Sequence, residues 1–130
     1  MLPAAARLRS RDDFTKVVKT GQRTGRSTLV AHLVVRAPAT QGDASSDDRP
    51  AAPRRAGFVV SKAVGNSVVR HRVQRQLRHL VRDRLADLPA GSDLVVRALP
   101  ASRDCASARI GEDLDSALRT LLKRQGGVSR

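Results

Sequence analysis

The amino-acid sequence predicts an α+β fold, an α/β sandwich in which a small sheet is packed with about three helices. Three observations support this class. In three segments the apolar residues recur at intervals of three and four, which is typical of a helix with one buried face. Other segments are short, apolar and partly alternating, as strands are. The segments follow one another as helix, strands, helix, strand, helix, and helices layered on one sheet would bury all their apolar faces.

The first helix is predicted to begin at Ser10, whose hydroxyl can cap the free amide groups of the first turn. Phe14, Val17 and Val18 then form one apolar face. Gly21 is expected to end this helix, because glycine readily adopts the backbone conformation found just after a helix.

Four segments are predicted to supply the sheet. Residues 21–26, GQRTGR, read as a basic turn or a short edge strand. Residues 27–36 alternate well enough for a strand, and residues 56–61 and 92–99 are also predicted strands.

Residues 1–130 are expected to form one domain with a modest core, since this length suits a single domain. Within it, residues 37–55 carry three prolines and no large apolar side chain. They are predicted to be a flexible loop between two strands. Residues 125–130 are predicted to be a loose tail, because Gly126 is expected to close the last helix.

The long central helix is predicted to run from the turn Gly-Asn-Ser at 65–67 to about Leu88, and its two faces differ. The apolar residues cluster within about 120° of a helical wheel, so this face is predicted to pack on the sheet. The opposite face is basic over roughly 16 Å. The apolar face comprises Val69, Val73, Leu77, Leu80 and Val81; the basic face comprises His71, Arg75, Arg78 and Arg82, flanked by Arg70 and Arg72.

The charges on this helix weaken the free protein. The sequence has no acid between Lys62 and Arg82, and like charges four residues apart repel. Arg70 and Arg72 also lie near a helix N-terminus, where exposed cations are disfavoured by roughly 0.3–1 kcal/mol each. A merely solvated face normally mixes both signs. The pattern therefore predicts an anionic partner, and arginine suits bidentate contacts with phosphate.

The last helix is predicted over residues 107–124, with Ser107 as its cap. Its acids come early and its cations late, as the helix dipole favours. Its predicted buried residues are Ile110, Leu114, Leu118, Leu121 and Leu122.

The composition of the chain narrows the class of molecule that it could bind. The 25 Lys and Arg residues against 12 Asp and Glu give a net charge of +13, which favours a polyanion. The absence of Trp and Tyr and of a long apolar run disfavours a membrane surface. The first residues contain no long apolar segment, so no secretory signal is expected. The single cysteine, Cys105, suits a reducing compartment, and a cytoplasmic location is expected.

Catalytic patterns are missing from the sequence. The three histidines, His32, His71 and His79, show no metal-ligand spacing with Cys105, and no nucleotide-binding loop or nucleophile elbow is found. A strand rather than a helix precedes the basic helix, which argues against a helix-turn-helix DNA reader. A structured RNA is the better fit, although a basic DNA-binding protein stays open.

Two segments resemble a known family. Residues 60–80, VSKAVGNSVVRHRVQRQLRHL, resemble the signature of the protein subunit of bacterial ribonuclease P, and residues 7–21 resemble its opening helix. In that family Val-Ser-Lys-Lys leads through Gly-Asn-Ala-Val to Arg-Asn-Arg and further cations. The sequence departs from this pattern at Ala63, His71, Gln74 and His79, where relatives carry Lys, Asn, Lys and Glu.

The resemblance implies a mostly antiparallel sheet with a left-handed β-α-β crossover, as in ribosomal-protein and elongation-factor-type domains. The implied partners are a catalytic RNA subunit and precursor tRNA, with no membrane and no obligate protein partner. The implied activity is endonucleolytic removal of the 5′ leader of precursor tRNA. Mg²⁺ would be bound mainly by the RNA, so no catalytic residue and no metal ligand is expected in the protein. The alternative is a non-enzymatic RNA-binding protein of the ribosomal or ribosome-assembly type.

The resemblance also implies two binding surfaces. The basic helix and the turn before it would bind the RNA subunit, and a cleft between the first helix and the sheet would bind the leader. For Phe14, ordinary core packing is an equal alternative. The implied RNA-subunit-binding residues are Ser61, Lys62, Asn66, Ser67, Arg70, His71, Arg72, Gln74, Arg75, Arg78 and Arg82. The implied leader-binding residues are Phe14, Val18, His32 and Arg70.

Overall fold

The computed structural model describes residues 11–35, 54–89 and 91–128, and these residues form three α-helices and one four-stranded sheet. Two short 3₁₀ helices, Leu85–Asp87 and Pro100–Asp104, join the larger elements. The helices are α1 (Arg11–Thr20), α2 (Ser67–Arg84) and α3 (Ser107–Val128), and the strands are β1 (Gln22–Gly25), β2 (Leu29–Val35), β3 (Arg55–Val59) and β4 (Ser92–Ala98).

The strands lie in the order β1-β2-β4-β3. The β1–β2 and β2–β4 pairs are antiparallel, and β3 pairs with β4 in parallel. Parallel neighbours need a crossover connection, and α2 is that connection. The predicted α+β class with a mostly antiparallel sheet is therefore confirmed, and the left-handed sense of the crossover stays a prediction.

The helices cover the two faces of the sheet unequally. Helices α2 and α3 bury their apolar faces against one side of the sheet, whereas α1 covers part of the other side, where Val17 packs with Val95. The predicted apolar faces of α2 and α3 are confirmed, with Val69, Leu80 and Leu122 only partly buried. The fully buried large side chains of the main core include Leu29, Leu33, Val73, Leu77, Val81, Leu94, Ile110, Leu114 and Leu121.

Helix α2 ends four residues earlier than predicted. Its last residue is Arg84, whose guanidinium donates a hydrogen bond to the Leu80 carbonyl oxygen at 2.8 Å and pairs with the Asp115 carboxylate of α3. The 3₁₀ turn that follows brings Leu88 into the core, where it is 2% exposed. Pro89 sets the latest position at which the helix could end, but the helix can end earlier.

The predicted end of α3 and its cap are both wrong. The helix continues through Gly126 to Val128, so residues 125–128 are helical and not a loose tail. A glycine costs a helix only about 1 kcal/mol relative to alanine, far less than a proline. Ser107 is the first helical residue, and its hydroxyl accepts a hydrogen bond from Gln76 Nε2 at 3.0 Å.

The remaining differences concern strand ends and α1. Residues 21–26 contain the edge strand β1, as one of the two alternatives predicted. Arg55, assigned to the loop from the sequence, begins β3, because its guanidinium pairs at 2.9 Å with the buried carboxylate of Asp93.

Val18 is 45% exposed, because it lies about 100° around α1 from the buried Val17. The predicted cap at Ser10 and most of the predicted loop, residues 37–53, lie outside the described residues.

The turn between β1 and β2 is fixed to α3. The Asp113 carboxylate accepts hydrogen bonds from the Thr28 amide at 3.1 Å, the Thr28 hydroxyl at 2.7 Å and the Ser27 hydroxyl at 3.1 Å. Burial alone would raise the pKa of Asp113, but these hydrogen bonds and the nearby Arg109 guanidinium outweigh it and hold the pKa below its ordinary value. This buried carboxylate therefore ties the sheet to the last helix.

Candidate nucleic-acid interface

Helix α2 presents a row of basic side chains to solvent because its apolar face is fixed in the core. Val73, Leu77 and Val81 are buried on one side, so residues offset by about half a turn must face outward. We call His71, Arg75, Arg78 and Arg82 the basic stripe; Arg78 is half-buried and the other three are exposed.

The turn before α2 is built as the sequence suggests. The Val64 amide donates to the Ser61 carbonyl oxygen at 3.1 Å, and Val64 itself is fully buried, which anchors the turn. The Asn66 side chain accepts a hydrogen bond from the Val69 amide at 3.0 Å, so Asn66 is the helix cap. Gly65 serves packing, because a Cβ there would lie 2.8 Å from Val69 Cγ1.

The predicted RNA-subunit-binding residues all lie in this turn or on α2. Three of them are half-buried, namely Arg70, Gln74 and Arg78. The exposed ones are Ser61, Lys62, Asn66, Ser67, His71, Arg72, Arg75 and Arg82.

A groove of about 470 Å³ lies between the end of β3 and the first turns of α2. Arg70 lines it, and the Nε atom of Arg70 is buried without a hydrogen-bond partner in the described part of the chain. Phe58 and Gln74 line the same groove. Val59 lines it too and also packs in the cluster under α1. Since His71 of the basic stripe also lines it, the groove lies between the stripe and the other face of the sheet.

The predicted leader-binding residues are brought together in part. The ring of Phe14 is half-buried, packs in the cluster that contains Val17 and Val95, and lies so close over Gly57 that any side chain there would overlap it. Val18 is exposed on the same helix. Phe14 thus takes part in core packing and still keeps some accessible surface.

His32 is much less accessible than a ligand-binding role would suggest. Its side chain is 6% exposed, and its Nδ1 atom has no hydrogen-bond partner among the described residues. Burial, followed by the nearby guanidinium groups of Arg23 and Arg97, lowers the pKa of His32 below its ordinary value of 6.5. The imidazole is therefore mainly neutral at pH 7 and adds no charge to the surface.

Two cations beside His32 were not predicted as site residues from the sequence. Arg23 on β1 is the direct cross-strand partner of His32, and Arg97 on β4 is exposed on the same side of the sheet. Arg97 could have been found from the alternation in SDLVVRAL, where an arginine two residues after Val95 shares its face. Together they make the uncovered part of this face basic.

Neither a metal centre nor a membrane span is formed by the described residues. Within residues 11–35, 54–89 and 91–128, no group of three or more His, Cys, Asp or Glu side chains could hold a metal ion. None of the helices in these ranges is long and apolar enough to cross a membrane.

Known proteins are similar over nearly the whole chain. A model of the family described as Ribonuclease P matches residues 2–122. The chain is 54% identical over 130 residues to the "Ribonuclease P protein component" of Streptomyces avermitilis, covering 100% of both chains. It is 51% identical over 138 residues to the protein of the same name from Salinispora tropica, again covering 100% of both.

Solved structures share the fold. The RNase P protein of Staphylococcus aureus matches with a TM-score of 0.71 at 22% identity, over 88% of this chain and 94% of that one. The RNase P protein of Thermotoga maritima matches with a TM-score of 0.65 at 23% identity, over 88% and 94% of the two chains. At these identities the likeness concerns the architecture.

Proposed function

Because the chain belongs to the family of ribonuclease P protein components, we propose that it binds a catalytic RNA subunit and the 5′ leader of precursor tRNA. In this role it promotes endonucleolytic removal of the leader, which leaves the mature 5′ end of the tRNA. As a ribonuclease P subunit it takes part in an endoribonuclease complex. The ribosomal alternative is not favoured, since the relatives described above carry the ribonuclease P name.

The basic stripe is the observation that carries the RNA-subunit contact. Its cations face away from the core, and the nearest acid along the chain is Asp83, whose carboxylate lies 3.7 Å from Arg82 Nε. A cationic face of this length can meet several phosphates and reduce the repulsion between two RNA molecules. This supports a role in bringing the RNA subunit and its substrate together.

The face of the sheet beside α1 is proposed to bind the leader. Phe14 and Val18 offer apolar contact to unstacked bases, and Arg23 and Arg97 can attract the phosphates between them. His32 lies beneath these groups as a neutral side chain, so it would act by shaping the surface. The groove at Arg70 would connect this face with the basic stripe.

The chemical step is proposed to take place in the RNA subunit. Mg²⁺ bound mainly by the RNA would activate the attacking water, and no residue of this chain is given a catalytic role. The protein would contribute affinity for the substrate and electrostatic support for the RNA fold.

Reconstitution tests the proposed function directly. The purified protein is added to the ribonuclease P RNA of the same organism at a Mg²⁺ concentration too low for the RNA alone. We expect 5′ trimming of precursor tRNA to be restored, because added cations replace part of the charge screening that Mg²⁺ provides. No restoration with a folded protein and an RNA that is active at high Mg²⁺ would refute the proposal.

Replacing Phe14 with alanine tests the leader-binding surface. We expect affinity for precursor tRNA to fall about fivefold or more, since a base-stacking contact contributes about 1–3 kcal/mol, while affinity for leaderless tRNA stays nearly unchanged. Both affinities are measured with the reconstituted complex.

Val17→Ala is the matched control for this experiment. Val17 lies in the same cluster but is 1% exposed, so its truncation removes packing and no surface contact. We expect it to lower thermal stability and to affect both RNAs alike. If Phe14→Ala also affects both RNAs alike, Phe14 is a core residue only.

A further inference from the structure

Val68 is an exposed apolar side chain beside the basic stripe. It is the second residue of α2 and is 76% exposed. Folding gives no reason for a valine there, because β-branched residues are poor helix formers and the side chain has almost no packing. One exposed valine is ordinary, so its surroundings decide whether it has a role.

The surroundings of Val68 form an open groove of about 460 Å³ on the outer face of α2. It is lined by Ser67, His71, Arg72 and Arg75 together with Val68. These residues follow one another at helical spacing, and His71 and Arg75 belong to the basic stripe. The groove therefore combines one apolar side chain with three basic ones.

One side of this groove is linked to a second element. Arg72 Nη2 donates a hydrogen bond to the Arg103 carbonyl oxygen at 2.6 Å, which connects α2 with the 3₁₀ helix before α3. This bond restricts the orientation of the Arg72 guanidinium. A guanidinium plane is a good surface for base stacking, and the restriction reduces the side-chain freedom that is lost when a ligand binds.

We propose that this groove, the Val68 pocket, binds one unstacked nucleobase of the RNA subunit. Val68 and the stem of Arg72 contact the faces of the base, while His71 and Arg75 hold the adjoining phosphates. An exposed apolar side chain beside guanidinium groups matches a nucleotide, which joins a flat base to an anion. A second copy of this chain is disfavoured as the occupant, because two chains of charge +13 repel each other. This inference rests on the proposed function.

Salt dependence separates an apolar contact from an ionic one. Val68→Ser is expected to weaken binding of the RNA subunit about three- to tenfold, with the slope of log Kd against log salt unchanged because no cation is removed. Arg75→Glu is expected to change both the affinity and the slope. Ala86→Ser, an exposed apolar-to-polar change in the 3₁₀ helix Leu85–Asp87, is the control and should change neither.

Crosslinking identifies the occupant in the reconstituted complex. A photoreactive group is attached to Val68→Cys in a Cys105→Ser background, and we expect crosslinks confined to one or two adjacent nucleotides of the RNA subunit. Unchanged affinity for Val68→Ser, crosslinks scattered over the RNA, or crosslinks only to protein would overturn the pocket while leaving the proposed function intact. If the unaltered protein itself fails to bind the RNA, the proposed function fails with it.

Discussion

Replacing Arg75 with glutamate is expected to weaken binding of the RNA subunit about tenfold or more near physiological salt. The change removes a cation from the middle of the basic stripe and places an anion against phosphates. The slope of log Kd against log salt should become shallower by about 0.7–0.9 for each phosphate that the variant no longer neutralises. The measurement is a series of Kd values across salt concentrations.

Arg119→Glu is the matched control for this experiment. It makes the same change in net charge on an exposed position of α3, outside the basic stripe, and its long-range effect is screened within about 8 Å at physiological salt. We expect Arg119→Glu to lower the affinity for the RNA subunit only slightly. If Arg75→Glu lowers thermal stability and leaves the affinity intact, the stripe has a structural role.

Asp113→Asn is expected to lower the free energy of unfolding by about 2 kcal/mol at pH 7. The carboxylate accepts three hydrogen bonds from Ser27 and Thr28, and hydrogen bonds to a charged group contribute about 1.5–3 kcal/mol each. All three bonds go to Oδ2, so the amide oxygen of the variant can still accept them, but without the negative charge that strengthens each bond. Urea unfolding measures the difference.

The pH dependence of this difference follows from the sign of the shift. The pKa of Asp113 in the folded protein lies below its ordinary value of 3.8, so the unfolded chain binds the proton more tightly than the folded one. The stabilisation is therefore complete well above pH 3.8 and is lost as the pH falls through the folded pKa. The free energy of unfolding of the wild-type protein should exceed that of Asp113→Asn by a constant amount from about pH 6 to 8. Below about pH 4 the difference should be smaller.

Glu112→Gln controls for the loss of an acid as such. Glu112 is the exposed neighbour of Asp113 on the same helix, so its neutralisation should cost only a few tenths of a kcal/mol. An equal loss of unfolding free energy in both variants would contradict the role given to Asp113. So would a difference in unfolding free energy between the wild type and Asp113→Asn that stays constant to pH 3.

The faces of α2 were predictable from the sequence because one physical rule decides them. Val73, Leu77 and Val81 must be buried, and the helical period then places Arg75 and Arg78 outside. The end of the helix was not predictable in the same way. It depends on the pairing of Arg84 with Asp115, and these residues lie 31 positions apart.

Burial within the sheet was also hard to predict residue by residue. The alternation in β2 separates His32 from the face that carries Leu29 and Leu33, but the 6% exposure of His32 depends on neighbouring strands. The interactions of Asp113 with the β1–β2 turn were missed for a similar reason, because an acid early in a helix already suits the dipole. Such a residue gives no sign in the sequence that it is needed elsewhere.

The two faces of α2 also constrain how the length of this helix can change in evolution. A residue inserted after Gln76 would rotate everything beyond it by about 100°. Leu77 and Val81 would then occupy the positions from which Arg78 and Arg82 now face outward. The core and the binding surface would both be damaged by one insertion, so this segment can vary in composition far more readily than in length.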